Sequence, residues 1–312
     1  MPEVIDDKSQ HCIPFLLARL KEHQSRYADR PDDVPPFFLG LNGVQGAGKT
    51  VLVSELQKAL RVPPYSLPTI TLSLDDIYLT HADQVALANS HPDNPLLQHR
   101  GQPSTHDLPL GEDVFASLRA GKPTAIPQYD KSAFSGQGDR VPQSQWEVCN
   151  KDEDEKIKVV IFEGWCVGFR PLDDGELKRK WENAVQQREK GDSYDGRLGY
   201  VKLQDVQAIN DALRGYDKLT DDAKNTRFVY DWRQEQERTL LATKGTGMTE
   251  EQVNRFVDGY YPSYELFTET LRTGVFAPAV GSTNTKTAAD WQGRQLRLVV
   301  DKSRRVQEVY HI

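Results

Sequence analysis

The sequence predicts an α/β fold in which a parallel β-sheet is covered by helices on both faces. Three short apolar runs, at 37–42, 69–74 and 158–162, indicate strands, and segments with helical spacing of apolar residues follow the first two. Strands that alternate with helices favour parallel pairing, and parallel sheets bind ligands beyond the carboxyl ends of their strands. Each run ends in polar or glycine-rich sequence, so we expect the functional site at that edge.

The bulk composition narrows the class of protein. At 312 residues we expect a single domain, 1–312, with insertions. A formal net charge of -7 disfavours nonspecific binding to nucleic acid or anionic lipid. No apolar run approaches the roughly 20 residues of a membrane-spanning helix. The three cysteines lack paired spacing and no targeting signal is recognised at the N-terminus, so we expect a cytoplasmic protein with free thiols. The oligomeric state is not predicted.

The first elements form a strand, a loop and a helix. An amphipathic helix is predicted over 11–27, and prolines at 31, 35 and 36 separate it from the first strand. That strand, 37–42, enters a glycine-rich turn, and a helix follows at 51–60. This context is the one in which a glycine-rich turn binds phosphate, because the turn places backbone N–H groups at a helix N-terminus.

The turn itself matches the pattern G-x-x-x-x-G-K-[ST], and its residues are Gly43, Val44, Gln45, Gly46, Ala47, Gly48, Lys49 and Thr50. The loop amides, with that of Val51, are expected to surround a phosphate chain. Lys49 would reach the β- and γ-phosphates, and the Thr50 hydroxyl would bind Mg²⁺. The motif predicts a P-loop NTPase fold with ATP and Mg²⁺ as cofactors. An ordinary glycine turn that opens a helix is the alternative.

Acidic residues follow the other two strands. Asp75 is our candidate for the base that accepts a proton from an attacking hydroxyl, and Asp76 for a ligand of the metal or its water. A cap or an Asx turn is the alternative for this pair. Glu163, after the strand at 158–162, is interpreted as a Walker B acid that holds Mg²⁺ through water, or else as a solvent-exposed charge.

The remaining segments are assigned more coarsely. Residues 80–155 are too long for an inert connection, with a helix predicted only at 112–120, and we interpret them as an acceptor-binding insertion. Residues 173–198 are highly charged and are predicted to be a solvated surface insertion. A strand at 227–230, helices at 231–244 and 250–271, and a last strand at 296–301 complete the prediction.

Several ordered motifs resemble plant-type D-glycerate 3-kinase and its fungal relatives. They include LDDIYLT at 74–80, RGQPSTHD at 100–107, QYDKSAFSGQGDR at 128–140 and FEGW at 162–165, and further matches extend to about 272. That family belongs with the phosphoribulokinase, uridine kinase and pantothenate kinase group.

The resemblance implies an ATP-dependent kinase that uses Asp75 to activate the hydroxyl of a small acceptor, such as glycerate or a similar hydroxy acid. It also implies an acceptor pocket lined by Tyr78, Arg100, His106, Tyr129, Lys131 and Arg140. Residues of about 231–272 would form a helical lid and the helix that follows it, and the lid would carry a catalytic arginine, Arg233, with Arg238 on the same helix.

Other interpretations stay open at this point. Arg100 and Arg140 could be surface charges, and His106 an ordinary loop histidine. Tyr129 could stack on a base, as in a nucleoside kinase. A regulatory P-loop NTPase that acts on a protein partner is the third class. A partner surface should expose contiguous apolar residues, and the segment 80–155 contains few of them.

Overall fold

In the computed structural model of this chain, the structure describes residues 6–152, 155–191, 194–216, 250–276 and 292–312. Its α-helices are α1 Ser9–Ser25, α2 Lys49–Arg61, α3 His81–Ser90, α4 Leu108–Arg119, α5 Asp174–Glu189, α6 Leu203–Tyr216 and α7 Glu250–Thr273. Its strands are β1 Phe37–Asn42, β2 Thr69–Ser73, β3 Thr124–Ile126, β4 Tyr129–Asp130, β5 Asp139–Arg140, β6 Glu147–Cys149, β7 Val159–Gly164, β8 Leu296–Val300 and β9 Val306–His311. Among the short 3₁₀ turns are Pro31–Asp33, Leu74–Ile77, Pro95–Leu97, Phe134–Gly136, Gln143–Gln145 and Leu198–Tyr200.

The three strands predicted as the core of the sheet pair in parallel in the order β1-β7-β2. The register places Asn42 beside Gly164 and Ser73 beside Glu163. All three strands therefore end at one edge of the sheet. The expectation of an α/β fold with a parallel sheet is confirmed, and the phosphate loop follows β1 at this edge.

Helices and loops cover both faces of the central strand β7, whose residues 159–162 are at most 2 % exposed. On one face Val159 and Ile161 join a core with Leu16, Leu20 and the apolar side of α2. On the other face Val160 and Phe162 pack in a second core that includes Phe115 of α4. A strand buried on both faces carries a continuous apolar run rather than an alternating one.

The segment 80–155 contains more regular structure than the sequence predicted. Helix α3 was missed: the Thr80 hydroxyl caps it by accepting from the Asp83 N–H, but Gln84 is its one buried residue, so it has no apolar stripe. Helix α4 begins at Leu108 rather than 112, because the Asp107 carboxylate caps it and its proline lies in the first turn, where proline is tolerated. Two small hairpins, β3-β6 and β4-β5, complete the segment.

The charged segment 173–198 is more than a solvated surface. Asp173 caps α5 by accepting from the Glu176 N–H, and Leu177 and Ala184 of this helix are buried. Leu198 also enters the main core. The charges occupy the outer side of a helix whose inner side packs on the rest of the protein.

The C-terminal part holds the long predicted helix, as α7, and a strand that the sequence analysis missed. The predicted strand at 296–301 is β8, and it pairs with β9 in an antiparallel hairpin. Residues of β9 are half-buried or exposed, so its apolar pattern is weak. The predicted strand 227–230 and helix 231–244, with Arg233 and Arg238, lie outside the described residues. No helix in the part of the chain that the structure describes is long and apolar enough to cross a membrane.

Candidate active site

The phosphate loop has the backbone that anion binding requires. Gly46 and Gly48 adopt φ values of 82° and 88°, in the left-handed region that glycine tolerates without a steric penalty. Helix α2 begins directly at Lys49, with Gly48 as its N-cap and no side chain capping it. Thr50 and Val51 follow in the first turn of this helix. The free N–H groups of that turn and the loop amides are therefore available to a phosphate.

Lys49 lies back across this loop. Its Nζ donates to the carbonyl oxygens of Gly43, at 2.6 Å, and Val44, at 3.2 Å. A Cβ on Gly43 would lie 3.0 Å from Cγ of Lys49, so the glycine makes room for the lysine stem. Burial lowers the pKa of Lys49, while the nearby carboxylates of Glu163 and Asp75 act against that shift. The lysine is thus close to both acids that follow the neighbouring strands.

Asp75 lies at the end of β2 in a tight ion pair with Lys131 of the 131–138 loop. Lys131 Nζ is 2.5 Å from Asp75 Oδ2. Burial alone would raise the pKa of Asp75, but the charge and hydrogen bond of Lys131, with smaller contributions from His106 and Lys49, hold that pKa below its ordinary value. Asp75 is consequently a carboxylate at neutral pH, which is the form that can accept a proton.

Asp76 and Glu163 are held by the same serine, Ser73. The Ser73 hydroxyl donates to Glu163 Oε1 at 2.6 Å, and the Ser73 N–H donates to Asp76 Oδ2 at 3.3 Å. Asp76 therefore caps the Leu74–Ile77 turn, which is the alternative that the sequence left open for this pair. Burial, and then the charge of Asp75, raise the pKa of Asp76 to about 7.

This raised pKa predicts how the stability of the metal-free protein depends on pH. A carboxyl whose folded pKa lies above its unfolded value stabilises the fold most below pH 4 and loses that contribution as pH rises to about 7. After a discount for the partial exposure of Asp76, we expect this contribution to the free energy of unfolding to be about 1 kcal/mol, which corresponds to about 2–4 °C in melting temperature. In EDTA, raising the pH from 4 to 7 should lower the melting temperature of the wild type, relative to that of Asp76→Asn, by about that amount. A difference that is constant across this range would contradict the expectation.

His106 is deeply buried between two tyrosines. Its ring stacks on Tyr78 with centroids 4.4 Å apart, and its Nδ1 is 2.6 Å from the Tyr216 hydroxyl. Burial lowers the pKa of His106 to about 3, with Asp75 acting against the shift, so the imidazole is neutral at physiological pH. Its Nε2 is buried and makes no hydrogen bond within the described residues. Tyr216 was not anticipated, since nothing in the sequence marks a helix-end tyrosine as its partner.

Arg100 and Arg140 both donate hydrogen bonds to backbone carbonyls. The Arg100 guanidinium donates to the carbonyls of Gly136, at 2.7 Å, Gln137 and Lys131, and its charge lies 5.7 Å from the centre of the Tyr129 ring. These contacts fix the loop that carries Lys131.

Arg140 Nη2 donates to the Tyr78 carbonyl at 2.7 Å, and Nη1 pairs with Asp107 at 3.0 Å. The Tyr129 hydroxyl, close to Tyr78, is buried without a hydrogen bond inside the described segments. The alternative that Arg100 and Arg140 are surface charges does not agree with the structure, because polar partners surround both guanidinium groups.

The residues present suit a nucleotide with a bound divalent ion. Magnesium in phosphoryl transfer takes one or two protein oxygens and fills its remaining positions with phosphates and water. Thr50 and Glu163 supply such oxygens at the edge where the phosphate loop lies. Within the described ranges, no three His, Cys, Asp or Glu side chains form a metal-binding group of their own.

The fold and this site together define an ATP-dependent small-molecule kinase of the P-loop type, and the comparisons specify the family. The chain is 40 % identical over 249 residues to the uncharacterized kinase mug58 of Schizosaccharomyces pombe, covering 77 % of this chain and 84 % of the relative. It is 32 % identical over 294 residues to the probable ATP-dependent kinase TDA10 of Saccharomyces cerevisiae, covering 90 % and 93 %. No family model matches the chain.

Two further relatives carry a substrate in their names. The chloroplastic D-glycerate 3-kinase of Arabidopsis thaliana is 33 % identical over 258 residues, which cover 80 % of this chain but 51 % of the plant protein. The solved D-glycerate 3-kinase from Cryptococcus neoformans aligns with 99 % of this chain and 100 % of its own, at a TM-score of 0.81 and 34 % identity. The chain belongs to the family of D-glycerate 3-kinases and related fungal ATP-dependent kinases.

Proposed function

We propose that this kinase transfers the γ-phosphoryl group of Mg-ATP to a hydroxyl of D-glycerate. Two kinds of support exist for this acceptor. Relatives in the plant and fungal lineages are named D-glycerate 3-kinase. The chain also has a base, Asp75, and a cation, Lys131, in direct contact with each other beside its phosphate loop.

The contact between Lys131 and Asp75 is the observation that carries the proposal. The two side chains lie 2.5 Å apart, and Lys131 is 53 % exposed, so its ammonium can turn toward a ligand. A hydroxy acid presents a carboxylate for a cation and a hydroxyl for a base within a few ångströms. Glycerol lacks the carboxylate and a nucleoside lacks the small anionic group, so neither can contact both the lysine and the aspartate of this pair.

In the proposed step, the acceptor hydroxyl oxygen forms a bond to the γ-phosphorus as the bond to the β-γ bridging oxygen breaks. The hydroxyl proton goes to Asp75, and ADP leaves with the bridging oxygen. When Lys131 turns to the acceptor carboxylate, Asp75 loses its strongest counter-charge, which raises its basicity at the moment it is needed. Lys49 stabilises charge on the transferred group.

Magnesium would be held by Thr50 and by Glu163, directly or through water. Held by these residues, the ion would supply positive charge that offsets the negative charge of the transferred group. Asp76 would join only after losing its proton, since its pKa in the metal-free protein is about 7. Ser73 fixes the relative positions of Glu163 and Asp76.

The buried polar atoms near Tyr78 support a polar acceptor. His106 Nε2 and the Tyr129 hydroxyl both lack a hydrogen bond within the described residues, and a buried polar group without a partner is costly. We propose that oxygens of the acceptor satisfy them. Arg100 and Arg140 are then positioning residues, since they already donate to loop carbonyls.

We also propose a helical lid over the phosphates and a cytoplasmic location. A lid on the predicted helix 231–244, with Arg233 and Arg238 closing over the phosphates, would exclude water during transfer. We also propose that the reaction takes place in the cytoplasm, and the free thiols of Cys12, Cys149 and Cys166 support a reducing compartment.

An acceptor panel tests the proposal. Purified protein with Mg-ATP should release ADP in the presence of D-glycerate, and at a much lower rate with glycerol or uridine. Phosphorylation of uridine in preference to glycerate would establish the nucleoside kinase alternative. ADP release at one rate with every acceptor and with none would indicate a regulatory NTPase, and the acceptor proposal would fail.

A further inference from the structure

The loop 100–107 is bonded to helix α7 by the side chain of Gln102. This side chain is 2 % exposed. Its Nε2 donates to the Gly259 carbonyl at 2.5 Å, and its Oε1 accepts from the Ser263 hydroxyl at 2.7 Å. Gly259 and Ser263 lie about one helical turn apart, so a single turn of α7 satisfies both ends of the amide.

The backbone of the same loop also lies directly on α7. The Tyr260 hydroxyl donates to the Arg100 carbonyl at 3.3 Å. Gly101 has a φ of 141°, and a Cβ at this position would overlap the Tyr260 hydroxyl, so only glycine allows this approach. The Trp165 indole N–H donates to the Gly101 carbonyl at 3.0 Å. The loop is therefore held against the helix at three adjoining residues.

Hydrogen bonds within the loop make it a compact turn. The Thr105 hydroxyl accepts from the Gly101 N–H at 2.8 Å and donates to the Gln102 carbonyl at 2.7 Å. The Thr105 N–H donates to the same carbonyl at 3.0 Å. Arg100 precedes this turn and His106 follows it. A displacement of Gln102 should therefore move both of them.

Packing alone does not account for a glutamine at position 102. Burying an amide costs free energy unless its polar atoms are hydrogen-bonded. Replacing a bonded polar group by an apolar group of the same shape can be nearly neutral for stability. The amide adds direction, because its two hydrogen bonds fix the loop at one position along the helix.

We infer that Gln102 is a positioning residue that couples α7 to the proposed acceptor site. Through the turn it places Arg100, whose guanidinium holds the loop that carries Lys131. Through the same turn it places His106, whose ring stacks on Tyr78. The inference rests on the proposed function, since these residues are the ones proposed to surround the acceptor.

Two variants test this coupling from its two sides. Gln102→Leu removes both hydrogen bonds at similar volume, and Ser263→Ala removes one of them from the helix. The usual contribution of a hydrogen bond predicts that the KM for D-glycerate rises about tenfold in Gln102→Leu and about threefold in Ser263→Ala. The Kd for Mg-ATP should stay within about twofold, because neither hydrogen bond involves the phosphate loop.

Hydrogen exchange of the free protein provides a second readout that needs no acceptor. Residues 131–138 should exchange faster in both variants, because the Arg100 guanidinium holds that loop. A local loss of stability at Gln102 would not reach this second loop.

Gln295→Leu is the matched control. Gln295 is 3 % exposed, its Nε2 donates to the Leu271 carbonyl at 3.0 Å, and its Oε1 accepts from the Val275 N–H at 3.0 Å. The same substitution therefore removes two hydrogen bonds at the C-terminal end of α7. It should lower the melting temperature and leave the KM for D-glycerate and the exchange of 131–138 unchanged.

The outcomes separate a positioning role from a purely structural one. A lowered melting temperature with an unchanged KM in both variants would overturn the inference, because the amide would then only stabilise the fold. An equal rise of the KM in Gln295→Leu would also overturn it, since any loosening of α7 would then have the same effect.

A wild type that does not phosphorylate D-glycerate would refute the proposed acceptor instead. Hydrogen exchange then decides the inference on its own. Faster exchange of 131–138 in Gln102→Leu and Ser263→Ala, but not in Gln295→Leu, would support the coupling, and unchanged exchange in both variants would overturn it.

Discussion

Replacing Asp75 with asparagine should lower kcat by about 10²–10⁴-fold, the range for loss of a positioned general base. The amide keeps the shape of the side chain but cannot take the hydroxyl proton. The phosphate loop does not depend on Asp75 for its backbone contacts, so the Kd for Mg-ATP should change little. Steady-state kinetics with D-glycerate, together with calorimetric titration of ATP, would measure both quantities.

The matched control is Asp113→Asn, which makes the same change of charge at an exposed residue of α4 that is not part of the proposed site. Its kcat should equal that of the wild type. A kcat for Asp75→Asn within a few-fold of the wild type would remove Asp75 from its proposed role. Loss of ATP binding by that variant would show that the residue acts on the nucleotide instead.

Replacing Lys131 with alanine should raise the KM for D-glycerate by about 100-fold, as expected for loss of a charged contact to the acceptor carboxylate. The weak reaction with glycerol should be almost unaffected, because glycerol has no carboxylate. Removing Lys131 also removes the main influence that lowers the pKa of Asp75. The acidic limb of the profile of kcat/KM against pH should therefore move to higher pH.

Lys122→Ala provides the control for that experiment, since Lys122 is exposed on the loop between α4 and β3. It should leave the KM and the pH profile unchanged. Equal losses with glycerate and glycerol in Lys131→Ala would contradict a contact to the carboxylate. They would indicate that the lysine only orients Asp75.

The sheet and the phosphate loop were predictable because their signals are local. The apolar run of β7 is buried between two layers, the runs of β1 and β2 beside it are partly buried, and the loop motif follows β1 directly. Once the strands are assigned, parallel pairing brings Asp75 and Glu163 to the edge where Lys49 lies. Helix α3 was missed because its buried side chain is the polar Gln84, and β9 because no residue of it is fully buried.

The partners of the site residues could not be predicted, since they come from distant parts of the chain. Lys131 and Asp75 are 56 residues apart, and Gln102 and Ser263 are 161 apart. The sequence also cannot tell whether an arginine faces a ligand or a carbonyl. Arg100 was predicted to line the acceptor pocket, and the hydrogen bonds of its guanidinium to the loop that carries Lys131 could not be read from the sequence.

Phosphorus NMR of the products formed from Mg-ATP and D-glycerate tests most directly whether this kinase phosphorylates glycerate. We expect one new phosphate monoester of glycerate that appears at the same rate as ADP. ADP accompanied only by inorganic phosphate, or a monoester formed on a nucleoside but not on glycerate, would contradict it.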